Sequence, residues 1–175
     1  MATLKELLKN IETVSVRGSS EAEVVSLGFD SRRVEPGQMF FAIKGVASDG
    51  HDYIGSAVEK GASVIVCENL PEELAENVAY IQVPDTNAAM GYMASAFYGE
   101  PSSKLKLVGV TGTNGKTTTV TLLYDMFRML GYKAGLISTV VYKINDRSID
   151  STHTTPDAIR LDAMIAVLME SVFVY

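Results

Sequence analysis

The sequence has little cysteine, no tryptophan and no surplus of positive charge. Its 175 residues include one cysteine and carry 15 Lys+Arg against 21 Asp+Glu, which gives a formal net charge of -6. A single cysteine excludes an internal disulfide. Because no surplus of cations is available to neutralise a phosphate backbone, the composition argues against a general nucleic-acid-binding protein. Any anion-binding site in this chain must therefore be local.

Long apolar runs are also missing from the sequence. No window approaches the ~18 apolar residues of a membrane span, and the amino terminus carries charges among its leucines. The single cysteine, Cys67, lies in the apolar run 63–67, where a buried strand thiol is favoured over a nucleophile. We therefore expect a cytoplasmic protein with no membrane partner. The 47% of hydrophobic residues suffices for a sizeable core.

Strand-like and helix-like patterns alternate along the chain, which predicts an α/β fold. The first half predicts a short helix with one apolar face at 4–11, strands at 24–29, 39–43, 63–67 and 79–83, and helices at 52–60 and 85–98. The second half predicts strands at 105–110, 134–139 and 171–175, helices at 117–130 and 156–170, and a hairpin over 140–150.

The small, polar segment 99–104 separates two α/β patterns that each begin afresh. We therefore predict one domain over residues 1–99 and a second over residues 100–175. The helix predicted at 157–170 is apolar on most of its circumference, so it needs cover on several sides. Two or three strands are too few to bury both faces of a parallel sheet. We expect the sequence to be the front part of a longer protein, with its second domain incomplete.

The strongest motif is Thr-Gly-Thr-Asn-Gly-Lys-Thr-Thr-Thr at residues 111–119, between a predicted strand and a predicted helix. Glycines let successive backbone N–H groups point at phosphate oxygens, and the helix N-terminus adds positive potential. This predicts a nucleotide-binding loop in which Lys116 reaches the β and γ phosphates and the Thr117 hydroxyl ligates Mg²⁺. The strict pattern has glycine where this chain has Val110. The alternative is a threonine-rich strand-to-helix turn with an exposed lysine.

The same string resembles the ATP-binding loop of the Mur ligases more closely than that of phosphate-loop proteins at large. The segment 29–42, which reads Phe-Asp-Ser-Arg-Arg-Val-Glu-Pro-Gly-Gln-Met-Phe-Phe-Ala, is followed by Gly45 and by Asp-Gly-His-Asp-Tyr at 49–53. It is similar to the first domain of the members that add the third peptide residue and of those that add the terminal dipeptide. His-Thr-Thr-Pro-Asp at 153–157 resembles the former, and the resemblance spans nearly the whole chain.

The resemblance implies a domain assignment and a set of site residues. Residues 1–99 would be a uridine-binding N-terminal domain, and residues 100–175 an incomplete phosphate-loop ATP-binding central domain. ATP would be bound by Gly112, Thr113, Asn114, Gly115, Lys116, Thr117 and Thr118, with Lys116 catalytic and Thr117 on the metal. The uridine nucleotide would be contacted by Phe29, Ser31, Val46, Ala47 and Ser48, although family members often have histidine at the position of Val46. The muramoyl-peptide end would be bound by His153, Thr154 and Thr155.

The resemblance also implies an activity, that of an ATP- and Mg²⁺-dependent ligase of peptidoglycan synthesis. Such an enzyme phosphorylates the D-glutamyl carboxylate of UDP-N-acetylmuramoyl-L-alanyl-D-glutamate, and a diamino acid, diaminopimelate or lysine, then displaces the phosphate. We expect the longer parent to be monomeric. The 175 residues alone are expected to be inactive and prone to self-association, because parts that the chemistry needs would lie further on.

Each site segment also has a purely structural explanation, and two other functions remain open. By spacing alone, residues 30–32 are a turn with a local ion pair, and His51 is a helix-entry residue to which we assign no catalytic role. Threonines 154 and 155 before a proline could be only a helix N-cap region. The other functions are a phosphate-loop nucleotide kinase or GTPase, and a non-catalytic UDP-sugar-binding module.

Overall fold

The computed structural model describes residues 1–45, 48–145, 147–150 and 157–173, and it divides the chain into two compact units. Unit 1 comprises Met1–Phe97 and unit 2 comprises Tyr98–Tyr175. Both units combine helices with strands, which confirms the predicted α/β class. Among the residues so described, no helix is long and apolar enough to cross a membrane. Five candidate residues fall outside the described ranges: Val46, Ala47, His153, Thr154 and Thr155.

Unit 1 is built on a five-stranded mixed sheet. Unit 1 has seven described strands, of which five form this sheet. They are β1 (Ala2–Thr3), β2 (Ser15–Arg17), β3 (Glu23–Val24), β4 (Ser26–Gly28), β5 (Gln38–Phe41), β6 (Val64–Cys67) and β7 (Ala79–Gln82). Its helices are α1 (Leu4–Leu7), α2 (Ile54–Glu59) and α3 (Thr86–Phe97), with 3-10 turns at Ser31–Arg33 and Gly50–Tyr53. The sheet order is β2-β7-β6-β5-β4, in which β4 to β7 are parallel and β2 is antiparallel to β7. A separate antiparallel ribbon pairs β1 with β3.

The central strands of this sheet are buried on both faces. Every residue of β5 and β6 is buried, as expected for parallel strands that have cover on two sides. Phe40, Ile65 and Tyr80 lie in register across β5, β6 and β7, and they form one core cluster that includes residues of α2. Cys67 belongs to the same cluster, and burial raises the pKa of its thiol to about 11. The predicted buried strand thiol is therefore confirmed.

Parallel pairing decides where the loops of unit 1 meet. Strands β4, β5, β6 and β7 all run in the same direction, so their carboxyl ends lie at one edge of the sheet. The segments that leave those ends begin at residues 29, 42, 68 and 83. In sheets of this kind, ligands bind beyond the carboxyl ends of the strands. We call this edge the carboxyl edge. The segments that carry the candidate residues of unit 1 start from it.

Unit 2 contains two longer helices and a three-stranded meander. Its elements are a 3-10 turn at Pro101–Lys104, α4 (Lys116–Met129), β8 (Gly135–Ile137), β9 (Val141–Ile144), β10 (Arg147–Asp150) and α5 (Ala158–Phe173). The sheet order is β10-β9-β8, with both pairs antiparallel. The hairpin predicted over 140–150 is confirmed, and Asn145 adopts a positive φ of 50° where the chain turns. Asparagine tolerates that conformation better than most residues do.

The strand predicted at 105–110 is wrong. Within the described part of the chain, these residues pair with no strand, and Leu107 and Val108 are 59% and 65% exposed. An apolar run becomes a strand only when a neighbour supplies its ladder hydrogen bonds and an element covers its face. The pattern of these six residues shows neither whether a neighbouring strand is present nor whether another element covers them.

The predicted end of the last helix is also wrong. Residues 171–175 were expected to form a strand, but α5 continues to Phe173, and residues 174–175 lie outside the described ranges. No glycine or proline follows Glu170 to end the helix. Once a helix is formed, each added residue gains a hydrogen bond, which outweighs the modest strand preference of valine and phenylalanine.

Three smaller differences occur in unit 1. The strand predicted at 24–29 is interrupted at Val25, so that β3 pairs with β1 and β4 pairs with β5. The helix predicted at 4–11 ends at Leu7. The edge strand β2 was not predicted, because it has only three residues and Val16 stands between a serine and an arginine. The first and third differences follow from strand pairing, which a local pattern does not contain.

Candidate functional site

The loop before α4 has the backbone that a phosphate-binding turn requires. Gly112 has φ +145°, and Gly115, the N-cap of α4, has φ +78° and ψ -6°. Positive φ values strain residues with a Cβ atom, so glycine is favoured at both positions. Gly115 provides no side-chain cap, and the first turn of α4 contains no acidic residue. The N–H groups at the start of α4 are therefore open to an external anion.

Lys116 brings a positive charge to the same loop. Its Nζ donates to the carbonyl oxygen of Gly112 and, at 3.4 Å, to that of Thr113. The helix begins immediately behind it, where the N–H of Thr119 donates to the Gly115 oxygen at 2.9 Å. All residues from 111 to 119 are exposed. The ammonium group, the glycine turn and the open helix end thus lie together at the surface of unit 2.

This arrangement fits a nucleoside triphosphate with Mg²⁺. Residues 111–119 contain a cation and backbone donors but no carboxylate that would repel phosphate. Among the described residues, no group of three or more His, Cys, Asp or Glu could hold a metal by itself. A Mg²⁺ ion at this loop would accordingly be held by phosphate oxygens, water and the Thr117 hydroxyl, a ligand set that is common for this metal.

In unit 1, the segment after β4 is a capped turn locked by an ion pair. Asp30 accepts from the backbone N–H of Arg32 at 3.0 Å and from its guanidinium at 2.8 and 2.9 Å. The Arg32 side chain, followed by its N–H, lowers the pKa of Asp30 to about 2. Lys60 Nζ donates to the carbonyl oxygen of Ser31 at 2.5 Å. The predicted local ion pair is confirmed, and it fixes the turn that carries Ser31, two residues after Phe29, which is 41% exposed.

The loop after β5 is closed at its base. An antiparallel bridge joins Lys44 to Asp49, and the Gly45 N–H donates to the Ser48 oxygen at 3.0 Å. The Gly50 N–H donates to the Ile43 oxygen at 2.8 Å. A Cβ on Gly50 would lie 2.6 Å from the Ile43 nitrogen, so only glycine fits this close approach. The loop 43–50 contains the candidates Val46, Ala47 and Ser48, of which the exposed Ser48 is described.

His51 connects this loop to the next strand end, which the sequence interpretation did not foresee. Its Nδ1 lies 2.6 Å from Asp49 Oδ1, and its Nε2 accepts from the N–H of Glu68 at 2.9 Å and that of Asn69 at 3.3 Å. Because Nε2 is an acceptor, Nδ1 carries the proton in a neutral ring and donates it to Asp49. The backbone N–H and ring of His51 lower the pKa of Asp49. The sequence feature that could have indicated the contact between His51 and Asp49 is the Asp-Gly-His spacing at 49–51, directly before a helix.

The structure brings some of the predicted residues together. Phe29 and Ser31 follow β4, and Ser48 follows the neighbouring parallel strand β5, so both segments start from the carboxyl edge of unit 1. The seven residues from Gly112 to Thr118 form the loop and first turn of α4 in unit 2. Unit 1 thus has loops at the carboxyl ends of parallel strands, where α/β proteins bind ligands. Unit 2 has a glycine-lysine-threonine loop at the start of a helix. Both features are typical of α/β nucleotide-binding proteins.

Comparison with known families identifies the class more closely. Residues 23–98 match the family described as Mur ligase family, catalytic domain, and residues 110–174 match the Mur ligase middle domain. The two matches are consecutive and cover most of both units. The chain belongs to the Mur ligase family, which confirms the resemblance seen in the sequence.

Individual relatives agree with this assignment. The chain is 53% identical over 169 residues to the UDP-N-acetylmuramoyl-L-alanyl-D-glutamate--2,6-diaminopimelate ligase of Cytophaga hutchinsonii, covering 96% of this chain and 35% of the relative. A solved ligase of the same name superposes with a TM-score of 0.73 at 22% identity, covering 98% of this chain and 34% of the other, which shows a shared fold. The MurF ligase of Thermotoga maritima in complex with ADP superposes with a TM-score of 0.50 at 28% identity, over 67% of this chain and 25% of the other.

The chain spans about a third of the length of the curated relatives that it matches. Within that length, the two matched models are the Mur ligase catalytic domain and the Mur ligase middle domain.

Proposed function

We propose that this chain is the substrate- and ATP-binding part of a ligase that adds 2,6-diaminopimelate to UDP-N-acetylmuramoyl-L-alanyl-D-glutamate. The observation that carries the proposal is the Gly112–Thr118 loop, with its two left-handed glycines, its lysine and its uncapped helix start, inside a Mur ligase middle domain. The names of relatives more than 50% identical support the substrate and the incoming amino acid. The proposed location is the cytoplasm, with a monomeric parent enzyme.

The chemistry explains why an ATP loop is needed. A carboxylate is a poor electrophile, because its leaving group would be oxide. Transfer of the γ-phosphoryl group of ATP to the D-glutamyl carboxylate releases ADP and creates an acyl phosphate, from which an amine displaces inorganic phosphate. Lys116 and the N–H groups of α4 would offset the negative charge that gathers as two anionic reactants approach. Mg²⁺, held in part by Thr117, would supply further charge neutralisation.

The two units would divide the substrates between them. We assign the uridine nucleotide to the carboxyl edge of unit 1, where Phe29 offers an exposed ring and Ser31 a hydroxyl on a locked turn. The loop 43–50, with Val46, Ala47 and Ser48, would contact the same group. His153, Thr154 and Thr155 would bind the muramoyl-peptide end. Domain limits at 1–99 and 100–175 belong to this proposal.

A lysine substitution in the full-length parent enzyme tests the proposal. Lys116→Ala should lower kcat/KM for ligation at least ~100-fold, because removal of one preorganised charge-stabilising donor typically costs that much. Product formation is measured with ATP, UDP-N-acetylmuramoyl-L-alanyl-D-glutamate and 2,6-diaminopimelate. The matched control is Lys104→Ala, since Lys104 is also an exposed lysine of unit 2 whose Nζ donates to a backbone carbonyl, that of Gly99 at 2.8 Å.

The control enzyme should keep normal turnover. Near-normal turnover by the Lys116 variant would contradict the ATP assignment. If the unsubstituted enzyme binds the UDP-linked substrate but neither consumes ATP nor forms product, a non-catalytic UDP-sugar-binding module is the better description. Phosphoryl transfer without amide formation would instead favour a kinase-like activity.

A further inference from the structure

We propose that His51 is a positioning residue, which holds Asp49 and Ser48, at the described base of the loop that follows β5, so that Ser48 contacts the uridine nucleotide. This inference rests on the proposed function, because it assumes that the loop binds that group. His51 itself is not placed in contact with the substrate. It acts through Asp49, which closes the base of the loop by its bridge to Lys44.

The first observation is that the hydrogen bonds among the described residues of the loop, 43–45 and 48–50, are all local. The bonds from Gly45 to Ser48 and from Gly50 to Ile43 close the base of the loop, but they join residues no more than seven apart. The Asp49 carboxylate caps the 3-10 turn Gly50–Tyr53 by accepting the His51 N–H at 3.0 Å. None of these three bonds ties the loop to another strand, so its position relative to the rest of the carboxyl edge needs a further contact.

The second observation is that the His51 ring provides such a contact. Its Nε2 accepts two consecutive N–H groups, those of Glu68 and Asn69, directly after β6 ends. Glu68 continues the connection, because its Oε1 accepts the Thr86 N–H at 3.2 Å and its backbone oxygen accepts from Gln82 Nε2 at 3.0 Å. A chain of hydrogen bonds therefore runs from the loop after β5 to the ends of β6 and β7.

The third observation is burial. The His51 side chain is only 14% exposed, so water can replace its hydrogen bonds only in part. Removal of the ring would leave the N–H groups of Glu68 and Asn69 without their acceptor and the Asp49 carboxylate without its ring donor. The Glu68 N–H is partly buried and the Asn69 N–H is exposed, so the unpaired Glu68 donor is the costly one, and the chain relieves that cost by moving. We expect the segment that moves to be residues 48–50, because the ends of β6 and β7 are fixed by the sheet.

Calorimetric binding of UDP to the 175-residue chain tests the inference, with ADP as a second probe that reports on the loop in unit 2. His51→Ala should raise the Kd for UDP about tenfold and leave the Kd for ADP unchanged. His51→Gln should stay within about threefold of the unsubstituted chain, because its amide can still accept from the N–H groups after β6. Asp49→Ala should weaken UDP binding to a similar extent, and the double substitution should add little, as expected when two residues act as one unit.

Tyr80→Phe is the matched control for a loss of stability alone. The Tyr80 hydroxyl accepts the N–H of Ala75 at 3.2 Å, so this substitution also removes a side-chain acceptor of a loop N–H in unit 1, away from the loop 43–50. It should lower the melting temperature and leave the Kd for UDP unchanged. If His51→Ala does not fold, His51→Gln and Asp49→Ala decide the question.

Three outcomes are distinct. Failure of the unsubstituted chain to bind UDP would overturn the uridine assignment, and the inference with it. UDP binding that is the same in the unsubstituted, His51→Ala and Asp49→Ala chains would overturn the positioning role but keep the uridine site. Parallel losses for UDP and ADP, or an equal loss in Tyr80→Phe, would show that His51 only stabilises the fold.

Discussion

Asp30 and Arg32 show how a two-residue spacing can build a rigid turn. The guanidinium holds both carboxylate oxygens, and the same carboxylate caps the 3-10 turn that carries Ser31. A two-point contact of this kind restricts orientation more than a single hydrogen bond does. The pair is therefore part of the candidate uridine site as well as a local structural feature, and the two interpretations of this segment are compatible.

The pKa of Asp30 makes this contact measurable. In the folded protein the carboxyl should titrate near pH 2 rather than at its ordinary 3.8. Because the folded pKa is depressed, the stabilisation is complete above the unfolded pKa and is lost as the pH falls through the folded value. Carboxyl-carbon NMR should show the midpoint of Asp30 rising toward 3.8 in Arg32→Ala. Arg33→Ala is the control, since the Arg33 Nε lies 4.0 Å from Asp30 Oδ2, and it should move the midpoint much less.

Cys67 illustrates a residue whose chemistry is suppressed by its surroundings. It lies at the end of β6 among Ile65, Val78 and Tyr80, and burial raises the pKa of its thiol to about 11. The thiolate is the reactive form of cysteine. A thiol in this position is accordingly a packing group rather than a nucleophile.

At the scale of elements, the start of α4 depends on a backbone conformation more than on side-chain contacts. Gly115 has no atom within 4 Å of a Cβ built on it, so space is available, but its φ of +78° is not suited to other residues. Gly91, in the middle of α3, also has space for a Cβ and lacks a positive φ. The two glycines therefore separate the effect of conformation from the effect of volume.

Alanine at these two positions should change stability in opposite directions. Gly115→Ala should destabilise unit 2 by about 1–2 kcal/mol, the cost of a left-handed conformation for a residue with a Cβ. Gly91→Ala should stabilise unit 1 by about 0.5–1 kcal/mol, because alanine loses less entropy in a helix interior. Urea unfolding followed by resolved NMR signals of each unit measures both changes. Stabilisation by Gly115→Ala would show that the turn before α4 adopts a different backbone in solution.

For the whole molecule, the two units differ in how completely their apolar residues are covered. All side chains of β5 and β6 in unit 1 are buried. In α5, the described side chains from 158 to 170 include two that are deeply buried, Ile165 and Leu168, while Val167 is 51% exposed. Unit 2 also exposes a group of large apolar residues: Leu107, Val108, Leu122, Met126, Phe127, Met129, Leu130, Tyr132 and Val140. Where such residues adjoin one another, their exposed apolar surface favours association with another surface.

Hydrogen exchange should reflect this difference. Amides of β5 and β6 should exchange more slowly than those of α5, because opening of a helix with little buried surface costs less free energy. Mass spectrometry on the 175-residue chain at two concentrations measures the exchange and also detects protection that arises from self-association. Equal protection of α5 and β6 in a monomeric sample would contradict the expected difference in stability between the two units.

Much of the architecture was accessible from local pattern. The alternation of strands and helices, the start of α4 behind a glycine, and the hairpin turning at Asn145 all appear as predicted. These features depend on backbone preferences and caps that act within a few residues. The conformation of the Gly112–Thr118 loop also depends on such local preferences. Its role in ATP binding stays a prediction.

The sequence alone determined the fold class, the family and the glycine turn before α4, because each depends on residue types at short, regular spacing. Tertiary structure decided which segments pair as strands and where helices end. Residues 105–110 form no strand in the described structure, α5 runs on to Phe173, and β2 joins the sheet edge although its three residues carry little signal. The contacts of His51 with Glu68 and Asn69 likewise join residues 17 and 18 positions apart. Strand pairing and side-chain hydrogen bonds of this kind are made between segments distant in sequence, so only the assembled fold contains the information that selects them.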